Sequence, residues 1–124
     1  MSSLAVGESS ENYLETILIL SKAHPVVRSV DIAEELGFKK PSVSLAMKNL
    51  RELGHITVSK EGFINLTASG REIADMIYER HQLLSAWLVK LGVDEKTASE
   101  DACKIEHVIS KESFEAIKKH VNKK

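Results

Sequence analysis

The stretch SVDIAEELGFKKPSVSLAMKNLREL, residues 29–53, contains two short helical patterns separated by a turn. The first begins at Ser29, a residue type that caps helices, and stops at Gly37. The second opens at Pro41, which is tolerated in a first helical turn. Two short helices joined by such a turn predict a helix-turn-helix. The apolar residues of the second helix are expected to face inward: Val43, Ala46, Met47, Leu50 and Leu53.

The outward face of the second helix is polar and basic. Such a face fits the major groove of double-stranded DNA, while its basic side chains meet phosphates. The alternative is that these residues form an ordinary solvated surface. The candidates for DNA contact are Lys39, Lys40, Ser42, Ser44, Leu45, Lys48 and Arg51, together with Lys60 in the segment that follows.

Two β-rich runs follow the helix pair, at residues 55–59 and 63–67. The turn between them contains Gly62, which is typical of a β-hairpin. A hairpin directly after a recognition-type helix predicts the wing of a winged helix-turn-helix. Lys60 at its tip would reach the DNA backbone or the minor groove, although an ordinary turn lysine is an equally good interpretation.

The rest of the chain is helical in pattern. A long helix is predicted from a cap at Thr67 or Ser69 to Gly92, and His81 lies on its apolar stripe, where a satisfied core histidine is an alternative to a ligand. Other helices are predicted at residues 11–23, from residues 94–97 onward and at residues 111–121. Inward-facing residues of the helix after residue 94 are expected to be Ala98, Ala102, Ile105, Val108 and Ile109.

Composition limits the possible functions. A net charge of −1 at pH 7 excludes a globally basic surface, so DNA binding would depend on a local patch and on salt. A single cysteine cannot form an internal disulfide, which fits a reducing cytoplasm. Residues 1–10 have neither a basic start nor a long apolar run, which predicts a loose arm and no signal peptide or membrane span.

Cys103, Glu106 and His107 have the spacing i, i+3 and i+4. On a helix this spacing places a thiolate, a carboxylate and an imidazole on one face, which is a candidate metal-binding face. A transition metal takes about four to six donors, so other elements would have to supply the rest. The alternative is a small buried cysteine beside two surface polar residues.

Segments in this order resemble the diphtheria toxin repressor and manganese transport regulator family of metal-dependent bacterial repressors. The resemblance extends from Glu11 to about Val121. Each motif is weak alone, but their order and spacing are specific. The segments are Glu11–Ile17, Val30–Ala33, Pro41–Ser44, Leu66–Gly70, Arg80–Leu84 and Cys103–His107.

The resemblance implies a metal centre where the first helix, the long helix and the following helix converge. His81 occupies the position of the histidine that the long helix contributes. Cys103, Glu106 and His107 match the iron-type ligand set, in which a sulfur donor stands where manganese-type members have a carboxylate.

Other positions depart from the family pattern. Glu15 matches a carboxylate used by manganese-type members, but Asn12 stands where the family has an aspartate or a methionine. Ser85 and Ser99 stand where iron-type members place ligands of a second site. That second site is therefore expected to be absent or rebuilt, for example from Glu15 and His81.

The resemblance implies a mainly α fold, with a winged helix-turn-helix DNA-binding domain at residues 1–72 and a helical metal-binding and dimerisation domain at residues 73–124. The expected form is the short one, without an SH3-like domain. The expected partners are a second copy of the chain and a palindromic operator, with no small-molecule substrate. Candidates for the dimer contact, with intramolecular core as the alternative, are Trp87, Leu88, Phe114 and Ile117.

The expected function is metal-dependent transcriptional repression in iron or manganese homeostasis. The thiolate favours iron(II), and manganese(II) is second. One alternative is a winged-helix regulator that has lost metal control, for which Asn12, Ser85 and Ser99 are the evidence. Another is a metal-dependent enzyme, but the chain has no HExxH motif, no glycine-rich phosphate loop and no nucleophile paired with a base.

Overall fold

The structure, a computed structural model, describes residues 8–123. Most of the predicted N-terminal arm lies outside these residues, but residues 8–10 already belong to the first helix. The fold is mainly α, as predicted. The elements of the described part are α1 (Glu8–Ala23), α2 (Ser29–Leu36), α3 (Lys40–Glu52), β1 (Ile56–Val58), β2 (Ile64–Leu66), α4 (Ala68–Lys90), α5 (Glu95–Val108) and α6 (Lys111–Asn122).

The chain divides into two compact units, one ending at Asp75 and the other beginning at Met76. Helix α4 contributes to both units. Whether residues 1–72 and 73–124 act as separate functional domains stays a prediction. Within residues 8–123, every helix is too short or too polar to cross a membrane.

Helices α2 and α3 form the predicted helix-turn-helix. Gly37 ends α2 with φ of 68°, a left-handed conformation that glycine adopts without steric cost. Ser29 is the first helical residue and not the cap: the main-chain N–H of Arg28 donates to the Asp31 carboxylate over 2.9 Å. Leu53 was predicted to face inward, but it follows the end of α3 and is 60% exposed. The core of this unit includes Leu14, Ile17, Leu18, Ile32, Val43, Leu50, Ile56 and Ile73.

Strands β1 and β2 form the predicted antiparallel wing, in which Thr57 pairs with Asn65. The main-chain N–H of Ile64 also donates to the carbonyl of Val27 over 2.7 Å, which ties β2 to the segment before α2. Thr67 caps α4, since its hydroxyl accepts from the N–H of Gly70 over 3.3 Å. Strand β2 is thus tied to the segment before α2 at its start and runs directly into a capped helix at its end.

The second unit packs α4, α5 and α6 around Leu84, Ala102 and Phe114. Phe114 is 2% exposed, so it belongs to the core of its own chain and is unsuited to the dimer contact suggested as one alternative. Val108 was predicted to face inward, but it is the last residue of α5 and is 74% exposed. Partly buried residues packed against this core are Leu83, Trp87, Ile105, Ile109 and Ile117.

Candidate functional site

Helix α5 brings the three predicted donors of its own sequence together. Asp94 caps the helix by accepting from the N–H groups of Lys96 and Thr97, which sets its register. The ligand atoms of Cys103, Glu106 and His107 lie within 4.8 Å of one another. The i, i+3, i+4 spacing therefore produces the cluster expected from the sequence.

The three side chains differ in burial. Glu106 is 0% exposed, whereas Cys103 is exposed and His107 is half-buried. The interpretation of a buried cysteine beside two surface polar residues is wrong, because the carboxylate is the group that the fold removes from water.

Glu106 has one oxygen with a partner and one without. Its Oε1 accepts a hydrogen bond from His81 Nδ1 over 3.1 Å. Its Oε2 is buried and has no hydrogen-bond partner among residues 8–123. A buried carboxylate oxygen left unpaired is costly, and a bound cation would remove that cost.

His81 joins the cluster from α4. Besides its bond to Glu106, its Nε2 lies 3.4 Å from the hydroxyl of Ser99. Sulfur, imidazole nitrogen and carboxylate oxygen around one buried anion are a donor set that suits a divalent transition metal. The residues present therefore fit a metal centre.

The two predicted donors of the first helix lie in the first unit. Glu15 is 5% exposed on α1. Asn12 is half-buried on the same helix, and its main-chain carbonyl accepts from the Thr16 hydroxyl over 2.8 Å.

Arg80 is the residue beside this cluster that sequence reasoning did not single out. It is 7% exposed, and its Nη1 donates to the main-chain oxygens of Glu106, over 3.1 Å, and Ile109, over 2.9 Å. Its guanidinium also lies over the aromatic ring of Phe114, 5.4 Å from the ring centroid. The available signal was an arginine on the apolar stripe of α4, directly before His81, three residues after Ile77 and four before Leu84.

An ion pair links α4 to α6 on the surface of the same unit. Lys118 Nζ lies 2.8 Å from a carboxylate oxygen of Glu79. The hydrogen bond and the negative charge of Glu79 raise the pKa of Lys118 above its ordinary value of 10.5. This lysine therefore stays charged through the neutral range.

All the predicted DNA-contact residues are exposed. Leu45 is 60% exposed near the middle of the outward face of α3. Lys60 is exposed in the turn of the wing. The remaining exposed candidates are Lys39, Lys40, Ser42, Ser44, Lys48 and Arg51.

Two protein-family models match the chain. The one described as the iron dependent repressor N-terminal DNA binding domain matches residues 5–63. The one described as the iron dependent repressor metal binding and dimerisation domain matches residues 67–123.

Individual relatives agree with this assignment. An uncharacterised HTH-type transcriptional regulator of Methanocaldococcus jannaschii is 37% identical over 115 residues, covering 91% of this chain and 92% of the relative. The transcriptional regulator MntR of Escherichia coli O157:H7 is 34% identical over 111 residues, covering 90% of this chain and 72% of MntR. The structure of the manganese regulator SloR is 28% identical with a TM-score of 0.81, covering 91% of this chain and 53% of that chain. The chain thus spans about half the length of SloR.

A winged helix-turn-helix followed by helices with clustered metal donors defines the class of metal-dependent, DNA-binding transcriptional regulators. The chain belongs to the iron-dependent repressor family. The family resemblance and the fold class predicted from the sequence are confirmed. Two of the relatives named above are described as transcriptional regulators, and SloR is described as a manganese regulator.

Proposed function

We propose that the protein represses transcription when Cys103, Glu106, His107 and His81 bind a divalent transition metal. The observation that carries the proposal is Glu106, a fully buried carboxylate with one oxygen held by His81 and the other without a partner. A bound cation would supply the positive partner that the second oxygen of Glu106 lacks. The protein would act in the cytoplasm as a homodimer.

The first helix is proposed to complete the ligand set. Glu15 and Asn12 correspond in position to ligands of α1 in the family that the sequence resembles. Glu15 offers a charged oxygen, whereas Asn12 offers only a neutral one. We therefore expect Glu15 to matter more than Asn12 for metal affinity.

The thiolate of Cys103 supports iron(II) as the preferred metal. Thiolate is a soft ligand that strengthens binding to iron(II), cobalt(II) and zinc(II) more than to manganese(II). Manganese(II) is the second candidate, because the similar protein SloR is described as a manganese regulator. Metal availability in the cell would decide between the two.

The exposed face of α3 is proposed to read the operator. Lys39, Lys40, Lys48 and Arg51 would contact phosphates, as would Lys60 from the wing. Ser42, Ser44 and Leu45 would face base edges, and the apolar Leu45 suits the methyl group of thymine. Two such faces on a symmetric dimer would read a palindrome with half-sites about one helical turn or a multiple apart.

The link between metal and DNA is a shift between two populations. Bound metal stabilises only the arrangement of the protein in which the metal ligands are assembled. If that arrangement is the one that fits the operator, metal and operator strengthen each other's binding by the same factor.

The test is an anaerobic titration of the metal-free protein with iron(II), manganese(II), cobalt(II) and zinc(II). We expect tight binding at one or two equivalents, with a thiolate-to-cobalt charge-transfer band, and weaker binding in Cys103→Ala and His81→Ala. His120→Ala is a matched control, since His120 is exposed on α6. Binding no tighter than millimolar would contradict the metal-dependent proposal and would favour a winged-helix regulator without metal control.

A further inference from the structure

Arg80 connects α4 to the end of α5 at Glu106, the buried residue of the candidate metal site. Its Nη1 donates to the main-chain oxygen of Glu106 and to that of Ile109, the residue that caps the C-terminus of α5. The last carbonyls of a helix have no partner within the helix. Arg80 supplies such a partner from outside, with a positive charge at the negative end of the helix dipole.

The last turn of a helix tends to fray because its carbonyls lack partners within the helix, and the last turn of α5 contains Glu106 and His107. Two hydrogen bonds from one guanidinium nitrogen restrain this turn where it leaves the helix. The orientation of both donor side chains depends on the main chain that carries them.

Two neighbouring residues of α4 bond to Glu106, one at its main-chain oxygen and the other at its carboxylate. Arg80 holds the main-chain oxygen over 3.1 Å, and His81 holds the carboxylate Oε1 over 3.1 Å. Hydrogen bonds from one turn of α4 therefore fix both the main chain and the side chain of the buried glutamate. A donor fixed in this way loses less freedom when a metal binds.

The burial of Arg80 is not the most stable way to end a helix. The side chain is 7% exposed, and its Nε has no hydrogen-bond partner among the described residues. A buried cation with an unpaired N–H costs stability that a water-exposed cap would not. The ring of Phe114, 5.4 Å from the guanidinium, offsets part of this cost and limits the directions in which the side chain can move.

We infer that Arg80 is a positioning residue of the metal centre, which holds the end of α5 so that Glu106 and His107 present their donor atoms in binding geometry. Arg80 acts through these residues and is not itself a ligand. The inference rests on the proposed metal-binding function.

The test compares cobalt(II) binding to the wild-type chain, Arg80→Met and Arg80→Lys. Loss of the guanidinium is expected to weaken cobalt binding by about 10–100-fold, the range seen when partners of metal ligands are removed. The cobalt absorption bands should also shift, because the donors no longer meet in the same geometry. Arg80→Lys, which keeps the charge and can reach one carbonyl, should bind with an affinity between those of the other two.

Arg71→Met is the matched control. Arg71 lies on the same helix, but it is exposed and pairs with Asp75. This variant should bind cobalt with wild-type affinity and wild-type absorption bands.

A residue that only stabilises the fold would lower the melting temperature without changing the spectrum. The inference is therefore overturned if folded Arg80→Met binds cobalt within twofold of wild type with unchanged bands. If Arg80→Met does not fold, wild-type affinity and bands in Arg80→Lys overturn it instead. Failure of the wild-type chain to bind cobalt would contradict the proposed function itself, which separates the two outcomes.

Discussion

Replacing Glu106 with leucine should change stability in opposite directions with and without metal. In the metal-free protein the substitution removes a buried carboxylate with an unpaired oxygen. An unpaired buried polar group costs about 1–3 kcal/mol, and more when it is charged. The hydrogen bond lost to His81 is worth about 1.5–3 kcal/mol at most for a charged acceptor, and His81, whose side chain is 25% exposed, regains water as a partner.

The balance for the metal-free protein is neutral to stabilising by about 1–2 kcal/mol, since removing the unpaired charged oxygen offsets the lost hydrogen bond and His81 can bond to water instead. For a chain of this size that is a rise in melting temperature of about 3–8 °C. With metal bound, Glu106→Leu should instead destabilise the protein relative to wild type. Metal at 100 times its dissociation constant stabilises a protein by about 2.7 kcal/mol, and Glu106→Leu should lose most of this gain.

The assay is thermal unfolding followed by circular dichroism, once with a chelator and once with excess cobalt(II). Glu106→Leu should melt at or above the wild-type temperature with the chelator and below it with cobalt. Glu100→Leu, at an exposed position of the same helix, is the control and should keep the wild-type response to cobalt. A variant that is clearly less stable than wild type with the chelator, or that keeps the full cobalt response, would refute the reasoning.

Three further predictions concern the fold, the DNA face and pH. Gly70→Ala should destabilise the protein by about 1–3 kcal/mol, measured by urea unfolding, because an added Cβ would overlap the carbonyl of His55. Lys48→Ala should reduce the slope of log affinity against log salt for operator DNA by about 0.9, in filter binding or fluorescence anisotropy at several salt concentrations. Removing the ion pair with Lys118→Met should lower the melting temperature slightly at neutral pH. Because Glu79 raises the pKa of Lys118, that difference should persist up to its ordinary value of 10.5 and vanish as pH rises through the higher folded pKa.

Each of these predictions has a control. Ala68→Gly, at the exposed start of α4, tests whether a change of small residue alone affects stability in the way expected for Gly70. Lys96→Ala, on α5 in the second unit, should leave the salt dependence of DNA binding unchanged. Lys119→Met, at the position next to Lys118, is the control: its difference in melting temperature from wild type should not change as the pH rises through the pKa of Lys118. If Lys48→Ala leaves the slope of log affinity against log salt unchanged, Lys48 does not contact a phosphate.

The order of the elements was predictable because its signals are local. Gly37, Pro41 and Gly62 mark ends and turns through their backbone preferences, which depend on a few neighbouring residues. Capping by Thr67 follows from the same kind of local pattern. The cluster on α5 was predictable too, since helix geometry alone places residues i, i+3 and i+4 on one face.

Burial was predicted less well at the ends of helices. Leu53 and Val108 continue the apolar pattern of their helices, but both are exposed: Leu53 follows the last residue of α3, and Val108 is the last residue of α5. Periodicity shows which face of a helix is apolar, and it does not show where the neighbouring element ends.

The sequence by itself determined the helix-turn-helix, the wing and the three candidate donors of α5, because turn residues and the spacing of side chains on one helix are local signals. Only the tertiary structure decided that Glu106 is the buried member of its cluster, and that His81 and Arg80 hold it by its carboxylate and its main-chain oxygen. The physical reason is that these contacts join residues 25 and 26 positions apart in sequence. Their distances are set by how α4 packs on α5, which no local pattern records.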